Sequence, residues 1–172
     1  MIDGVIVKET KTFPDERGFF REVVRSTDDP TQFIAQVSHG LRFQGVATAW
    51  HIHKTLEERF YIVSGTVRLV LKDCRVGKTV KVWWPYWEPP KQEDIRLPQS
   101  STPYEYAEVI LGDHMPNVVY IPPGVAHGYV VLQGPCNMIY VASQTYAEYR
   151  QDEGRIEPDR WGLDWMRPIE VK

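Results

Sequence analysis

The chain has 172 residues, a formal net charge of −3 and basic residues scattered along its length. This is one domain's worth, long enough to bury a proper core, and it carries no electrostatic footprint for nucleic acid or an acidic membrane surface. No apolar stretch reaches bilayer-spanning length, the amino terminus lacks a signal-peptide pattern, and Cys74 and Cys136 make no disulfide framework, so a cytoplasmic setting is expected.

In chain order, short apolar runs broken by turn residues predict strands at 5–8, 19–25, 46–53, 59–63, 66–72, 106–111, 118–121, 128–132 and 138–143. In 66–72, Val67, Leu69 and Leu71 alternate with Arg68, Val70 and Lys72, the pattern of a half-buried antiparallel strand. Only 31–38 and 146–152 read as helical, and both are short. Residues 82–103 begin with Trp83, Trp84, Tyr86 and Trp87, continue in polar, proline-punctuated sequence, and read as a long inserted loop. Its tryptophans pack at a dimer interface or close over a planar ligand. Many short strands without βαβ spacing define an all-β sandwich or barrel, as a single domain over 1–172.

Two segments carry the chemistry. The first runs from Gly45 through His51, His53 and Glu58 to Gly65; the second is Pro122, Pro123, Gly124 and, three residues on, His127. Successive strand side chains point to opposite faces, so His51 and His53 share one face. A hairpin can return Glu58 beside them, and His127 follows a turn at the start of another apolar run. Three imidazoles and a carboxylate suit one divalent transition metal: Fe, Mn, Co, Ni, Cu or Zn. The alternative is a metal-free site using the same histidines as acids, bases or hydrogen bonders. His39 and His114 have no partners at informative spacing and read as loop histidines.

The first segment resembles the first cupin motif at every fixed place. The second keeps the Pro-x-Gly-x-x-His core of the second motif, but has Pro116 for its opening glycine and Val131 for its closing asparagine. The resemblance implies a jelly-roll antiparallel barrel with short peripheral helices, and a metal on His51, His53, Glu58 and His127. Asp15 to Phe20 with Glu22, Gln36 ahead of Gly45 and Val46, Ile121 to Tyr129, Tyr140, Tyr146 and Gly162 to Trp165 resemble the dTDP-4-dehydrorhamnose 3,5-epimerase family. Members of that family are homodimeric, usually metal-free barrels that invert carbons beside the 4-keto group of a nucleotide-linked sugar. By this resemblance His51 is the general base, Tyr140 the acid and Tyr146 a second pocket tyrosine. Arg17, Glu22 and Gln36 fall on positions that hold the nucleotide and its phosphates.

The departures are coordinated. The family's arginine and leucine before the histidine are here Thr48 and Trp50; its lysine on the next strand is Glu58, and its glutamine after the histidine is His53. Cationic oxyanion stabilisers are lost, and ligands for a Lewis-acidic metal are gained. The reading is an epimerase-like cupin on a nucleotide-linked ketosugar. A metal-dependent oxygenase or lyase, or a non-catalytic sugar-binding module, stands as the alternative. For Tyr140 the competing role is a packed core tyrosine; for Arg17 and Glu22, surface ion pairing; for Gln36, capping or packing; and Trp50 is expected to pack in the wall.

Overall fold

Antiparallel pairing organises nearly the whole of the computed structural model, which describes residues 1–25, 27, 33–75, 77, 79–97 and 105–167. The strands are β1 (Ile6–Glu9), β2 (Lys11–Asp15), β3 (Gly18–Glu22), β4 (Gln36–Arg42), β5 (Ala47–Ile52), β6 (Glu58–Asp73), β7 (Val80–Trp84), β8 (Lys91–Ile95), β9 (Tyr106–Gly112), β10 (Asn117–Ile121), β11 (Val125–Ala142) and β12 (Gly154–Arg155). One short helix, α1 (Tyr146–Tyr149), runs into a 3₁₀ turn (Arg150–Asp152). The main sheet is ordered β1-β10-β6-β11-β5-β12-β7-β8, with β4 added on β11 and β9 on β6; β2 and β3 form a separate hairpin. This is the all-β antiparallel architecture that the strand pattern predicts.

Two long strands form the spine. β6 and β11 pair from Val125 opposite Asp73 to Ala142 opposite Glu58. The runs at 59–63 and 66–72 are one strand because Gly65 adopts φ +86° and lets β6 bend without ending. A Cβ at Gly65 would stand 2.6 Å from the Gln133 carbonyl oxygen, so the bend needs glycine for space as well as for φ. Along β11, β5 pairs with the first half and β4 with the second, which curls the sheet around its interior.

The sheet buries apolar side chains on both faces. Inside lie Phe60, Ile62, Val67, Leu69, Leu71, Val119, Ile121, Val125, Tyr129 and Val131. A second core forms on the outer face from Trp50, Ile52, Val70, Val80, Val82, Trp84 and Ile156, and Trp87, Trp161 and Trp165 pack against it. This overturns three expectations. Residues 66–72 are buried on both sides, because the carboxy-terminal segment covers the outer face and Arg68 donates to the carbonyls of Asp164, Trp165 and Arg167. Of the supposed inserted loop, 80–95 is a β-hairpin, Val80, Val82 and Trp84 pointing into the outer core and Lys81 and Trp83 away from it; residues 98–104 lie outside the described residues. Trp84 is fully buried and Trp87 packs on the same core, so neither is free to cover a ligand or a partner.

The helix expected at 31–38 is also corrected. Residues 31 and 32 lie outside the described residues, and from Gln36 onward the chain is strand β4. Its polar side faces inward and its apolar side outward, which inverts the usual signature. His39, read as a loop residue, sits on this strand with Nε2 3.0 Å from Asn137 Oδ1. The second helical segment, 146–152, forms as α1 and the 3₁₀ turn.

Candidate active site

The alternation of β5 builds one wall. Trp50 and Ile52 are fully buried in the outer core, which turns His51 and His53 toward the interior. Trp50 is fixed edge-on between Trp161 and Trp165, with ring centroids 4.9 and 4.8 Å away, and its Nε1 donates to the Pro158 carbonyl. β11 brings His127 opposite His51. The turn before it depends on Gly124, whose φ is +82° and whose N–H donates to the His53 carbonyl at 2.8 Å. Glu58 opens β6 and enters the same space.

His53, Glu58 and His127 converge, their ligand atoms all lying within 4.8 Å of one another. His53 Nδ1 faces the Asp152 carbonyl at 3.0 Å and His127 Nδ1 the Val125 carbonyl at 3.2 Å. A carbonyl can only accept, so each Nδ1 holds a proton and each Nε2 is turned toward Glu58. Both Nε2 atoms stand near Glu58 Oε2, at 3.6 Å for His53 and 3.0 Å for His127. Neither Glu58 Oε2 nor His127 Nε2 has an aligned hydrogen-bond partner among the described residues. Burial pushes the Glu58 carboxyl up, but His127, His53 and His51 more than offset it and hold the group at about 2. Burial drives His53 down as well. Three buried acceptors around one point, two with imidazoles held by backbone carbonyls, fit a divalent metal.

His51 stands outside this cluster, so the expected four-ligand set becomes three. Its Nδ1 is 4.0 Å from Glu153 Oε1, and Glu153 is in turn bound by Arg155. Burial, with His127 and Arg155 beside it, takes His51 down to about 2, so its imidazole is neutral. Tyr140, on the second half of β11, lines the same pocket. Its ring meets Phe60 edge-on at 5.0 Å and its hydroxyl lies 3.2 Å from that of Tyr129, which accepts from Arg42 Nε at 3.0 Å. Burial, reinforced by Tyr129, pushes the Tyr140 phenol well above its ordinary value.

Other residues singled out from sequence fall elsewhere. Tyr146 is 44% exposed and does not line the pocket; Tyr149 does, with its ring edge-on to His53. Gln36 spends its amide structurally, accepting from the Tyr146 N–H at 2.7 Å and donating to Ser38 at 2.9 Å, so it pins α1 to β4. Arg17 sits in the exposed β2–β3 turn, paired with Asp15 at 2.7 Å, and Glu22 pairs with Arg25 at 3.7 Å; neither lines the pocket of its own chain. Sequence reasoning missed Arg42, Tyr149 and Glu153, which line it. Tyr149 had a signal, being one helical turn from Tyr146.

Comparison with known proteins follows the same lines. Residues 93–172 match the model of the dTDP-4-dehydrorhamnose 3,5-epimerase family. The chain is 25% identical to the dTDP-4-dehydrorhamnose 3,5-epimerase of Methanothermobacter thermautotrophicus, across 99% of this chain and 82% of that one. It is 32% identical to the spore coat polysaccharide biosynthesis protein SpsL of Bacillus subtilis, across 96% and 97%. The chain belongs to the dTDP-4-dehydrorhamnose 3,5-epimerase family. Its barrel is shared with the crystal structure of a dTDP sugar isomerase from Desulfovibrio desulfuricans, at a TM-score of 0.76 and 17% identity over 98% of this chain and 94% of that one. Against the family pattern, Thr48 lines the pocket, Trp50 belongs to the outer core, and Glu58 joins the two histidines. Among the described residues, no helix is long and apolar enough to cross a membrane.

Proposed function

We propose that this family member is an epimerase of a nucleotide-linked 4-ketosugar, with His51 as the base and Tyr140 as the acid. His51 takes the proton from the carbon beside the keto group, and the C–H electron pair moves onto the carbonyl oxygen. Tyr140 then returns a proton to the opposite face of that carbon, so the step is redox-neutral. The observation that carries this reading is the separation of His51 from the His53–Glu58–His127 cluster within one pocket. A neutral imidazole with Nδ1 turned toward Glu153 keeps Nε2 for proton abstraction.

His53, Glu58 and His127 would hold one divalent transition metal, and a metal so bound supplies a Lewis acid for a substrate oxygen. Two histidines and one carboxylate are also the donor set of iron oxygenases, which gives the second reading. Deuterium entry and oxygen uptake separate them. Incubation of a nucleotide-linked 4-ketosugar in D₂O should place deuterium beside the carbonyl, in a reaction abolished by His51→Asn, with no oxygen uptake. Oxygen consumption without deuterium entry refutes the epimerase. Elemental analysis of untagged protein should find stoichiometric metal that is lost in His53→Ala.

The functional unit we infer is a cytoplasmic homodimer. Val37, Leu41 and Phe43 on and after the outer side of β4 are 61%, 47% and 69% exposed. The β2–β3 hairpin, separate from the main sheet, likewise exposes Phe13, Phe19 and Phe20. Exposed apolar surface of this kind favours a second copy. Cys74 and Cys136 are buried free thiols, consistent with a reducing compartment. Light scattering that returns a monomer at micromolar concentration would remove the dimer.

A further inference from the structure

Among the described residues that line the pocket, Arg42 is the one arginine or lysine, while Glu58 and Glu153 supply negative charge. The charges are segregated by strand. Glu58 opens β6 and Glu153 immediately precedes β12, whereas Arg42 belongs to β4 and is surrounded by neutral hydroxyl groups. The inward side of β4 is Ser38, Gly40 and Arg42. A Cβ on Gly40 would stand 3.0 Å from the Tyr140 ring and 3.3 Å from Arg42 Nη1, so glycine here lets the guanidinium and the Tyr140 ring lie close against β4.

Arg42 is partly committed. Nε donates to the Tyr129 hydroxyl at 3.0 Å and Nη1 to the Leu41 carbonyl at 2.8 Å. Nη2 and the second Nη1 hydrogen have no hydrogen-bond partner among the described residues. The two bonds already made hold the planar fork in place, so a ligand need not order it. Ser38 accepts from Gln36 and keeps its own hydrogen to donate. A fixed guanidinium edge in a pocket whose carboxylates sit on other strands is matched to a phosphate group.

We propose that Arg42 is the anion-binding residue of this pocket and takes the diphosphate of a nucleotide-linked sugar. The inference rests on the epimerase reading and deepens it: the substrate enters with its diphosphate against β4 and its sugar toward His51. It also supplies, from a neighbouring strand, a cation that Thr48 and Glu58 do not provide.

Calorimetric titration of the protein as purified with inorganic pyrophosphate and with thymidine diphosphate tests it. Both should bind the parent protein. Arg42→Met should weaken both by about 10- to 100-fold, the loss of a charge-assisted contact. Arg42→Lys should recover part of this, since it keeps the charge and loses the fork. His53→Ala should bind both within about threefold of the parent, and the melting temperature of each variant shows that it is folded. Unchanged binding in folded Arg42→Met overturns the proposal. So does a loss that follows His53→Ala instead, which would place the anion on the metal cluster, and so does a parent that binds neither ligand. A fall in kcat with unchanged diphosphate binding would put Arg42 on the chemistry and also overturn it. Arg42-dependent diphosphate binding without deuterium entry into the sugar leaves the Arg42 site standing while the epimerase reading falls.

Discussion

Arg68→Met tests how the outer wall of the pocket is held. The substitution keeps the aliphatic stem and deletes the guanidinium of a residue that is 2% exposed. That group donates to the carbonyls of Asp164 at 3.2 Å, Arg167 at 3.0 Å and Trp165. Hydrogen bonds from a charged donor contribute roughly 1.5–3 kcal/mol each. The three share one donor group, and their carbonyls regain water once the segment lifts, so the contributions do not add. A net loss of about 3–4 kcal/mol is expected. For a chain of this size that lowers Tm by about 6–16 °C. Urea and thermal melts followed by tryptophan fluorescence read it directly, because Trp161 and Trp165 pack on Trp50 and move with the segment. A loss below about 1 kcal/mol would show that the outer core, and not the Arg68 clamp, holds the carboxy-terminal segment down.

Further perturbations have defined outcomes. Gly65→Ala forces a side chain into φ +86° and against the Gln133 carbonyl, and should cost about 3 kcal/mol or more in a urea melt. Tyr140→Phe should retain His51-dependent deuterium entry while epimer formation falls about 10²- to 10⁴-fold; equal loss of both would remove Tyr140 as the separate acid. Burial pushes the Cys74 thiol up to about 12. A raised thiol pKa favours the neutral form, so the thiolate appears only as pH climbs toward about 12. At pH 8 the native protein should therefore resist iodoacetamide, and labelling should begin on unfolding. Rapid native labelling at pH 8, read by mass spectrometry, would contradict the burial.

The cluster was legible in sequence because strand periodicity and a turn set its members. His51 and His53 share a face by spacing alone, and the positive-φ turn at Gly124 positions His127. The division of labour was not legible, since which imidazoles meet Glu58 depends on where the backbone carbonyls of Asp152 and Val125 lie. β4 was misread because a strand that lines a polar pocket inverts the expected pattern: Ser38, Gly40 and Arg42 face inward while Val37 and Leu41 face out. That inversion hid Arg42. Glu153 is set at the pocket by the start of β12, two residues long and too short to announce itself. The tryptophan run was read as a loop, although Val80, Val82 and Trp84 alternate as a strand should; its proline-rich turn outweighed that signal.

The alternation in β5 also constrains how this protein can change. His51 and His53 serve the pocket, and Trp50 and Ile52 between them serve the outer core. Substitutions on either face can accumulate independently, so chemistry can drift while the wall stays packed. A single insertion or deletion within 47–52 has no such freedom, because a one-residue slip sends imidazoles into the tryptophan cluster and indole into the pocket. New activities on this scaffold are therefore reached through point changes at alternate positions of β5, and length variation is confined to its loops.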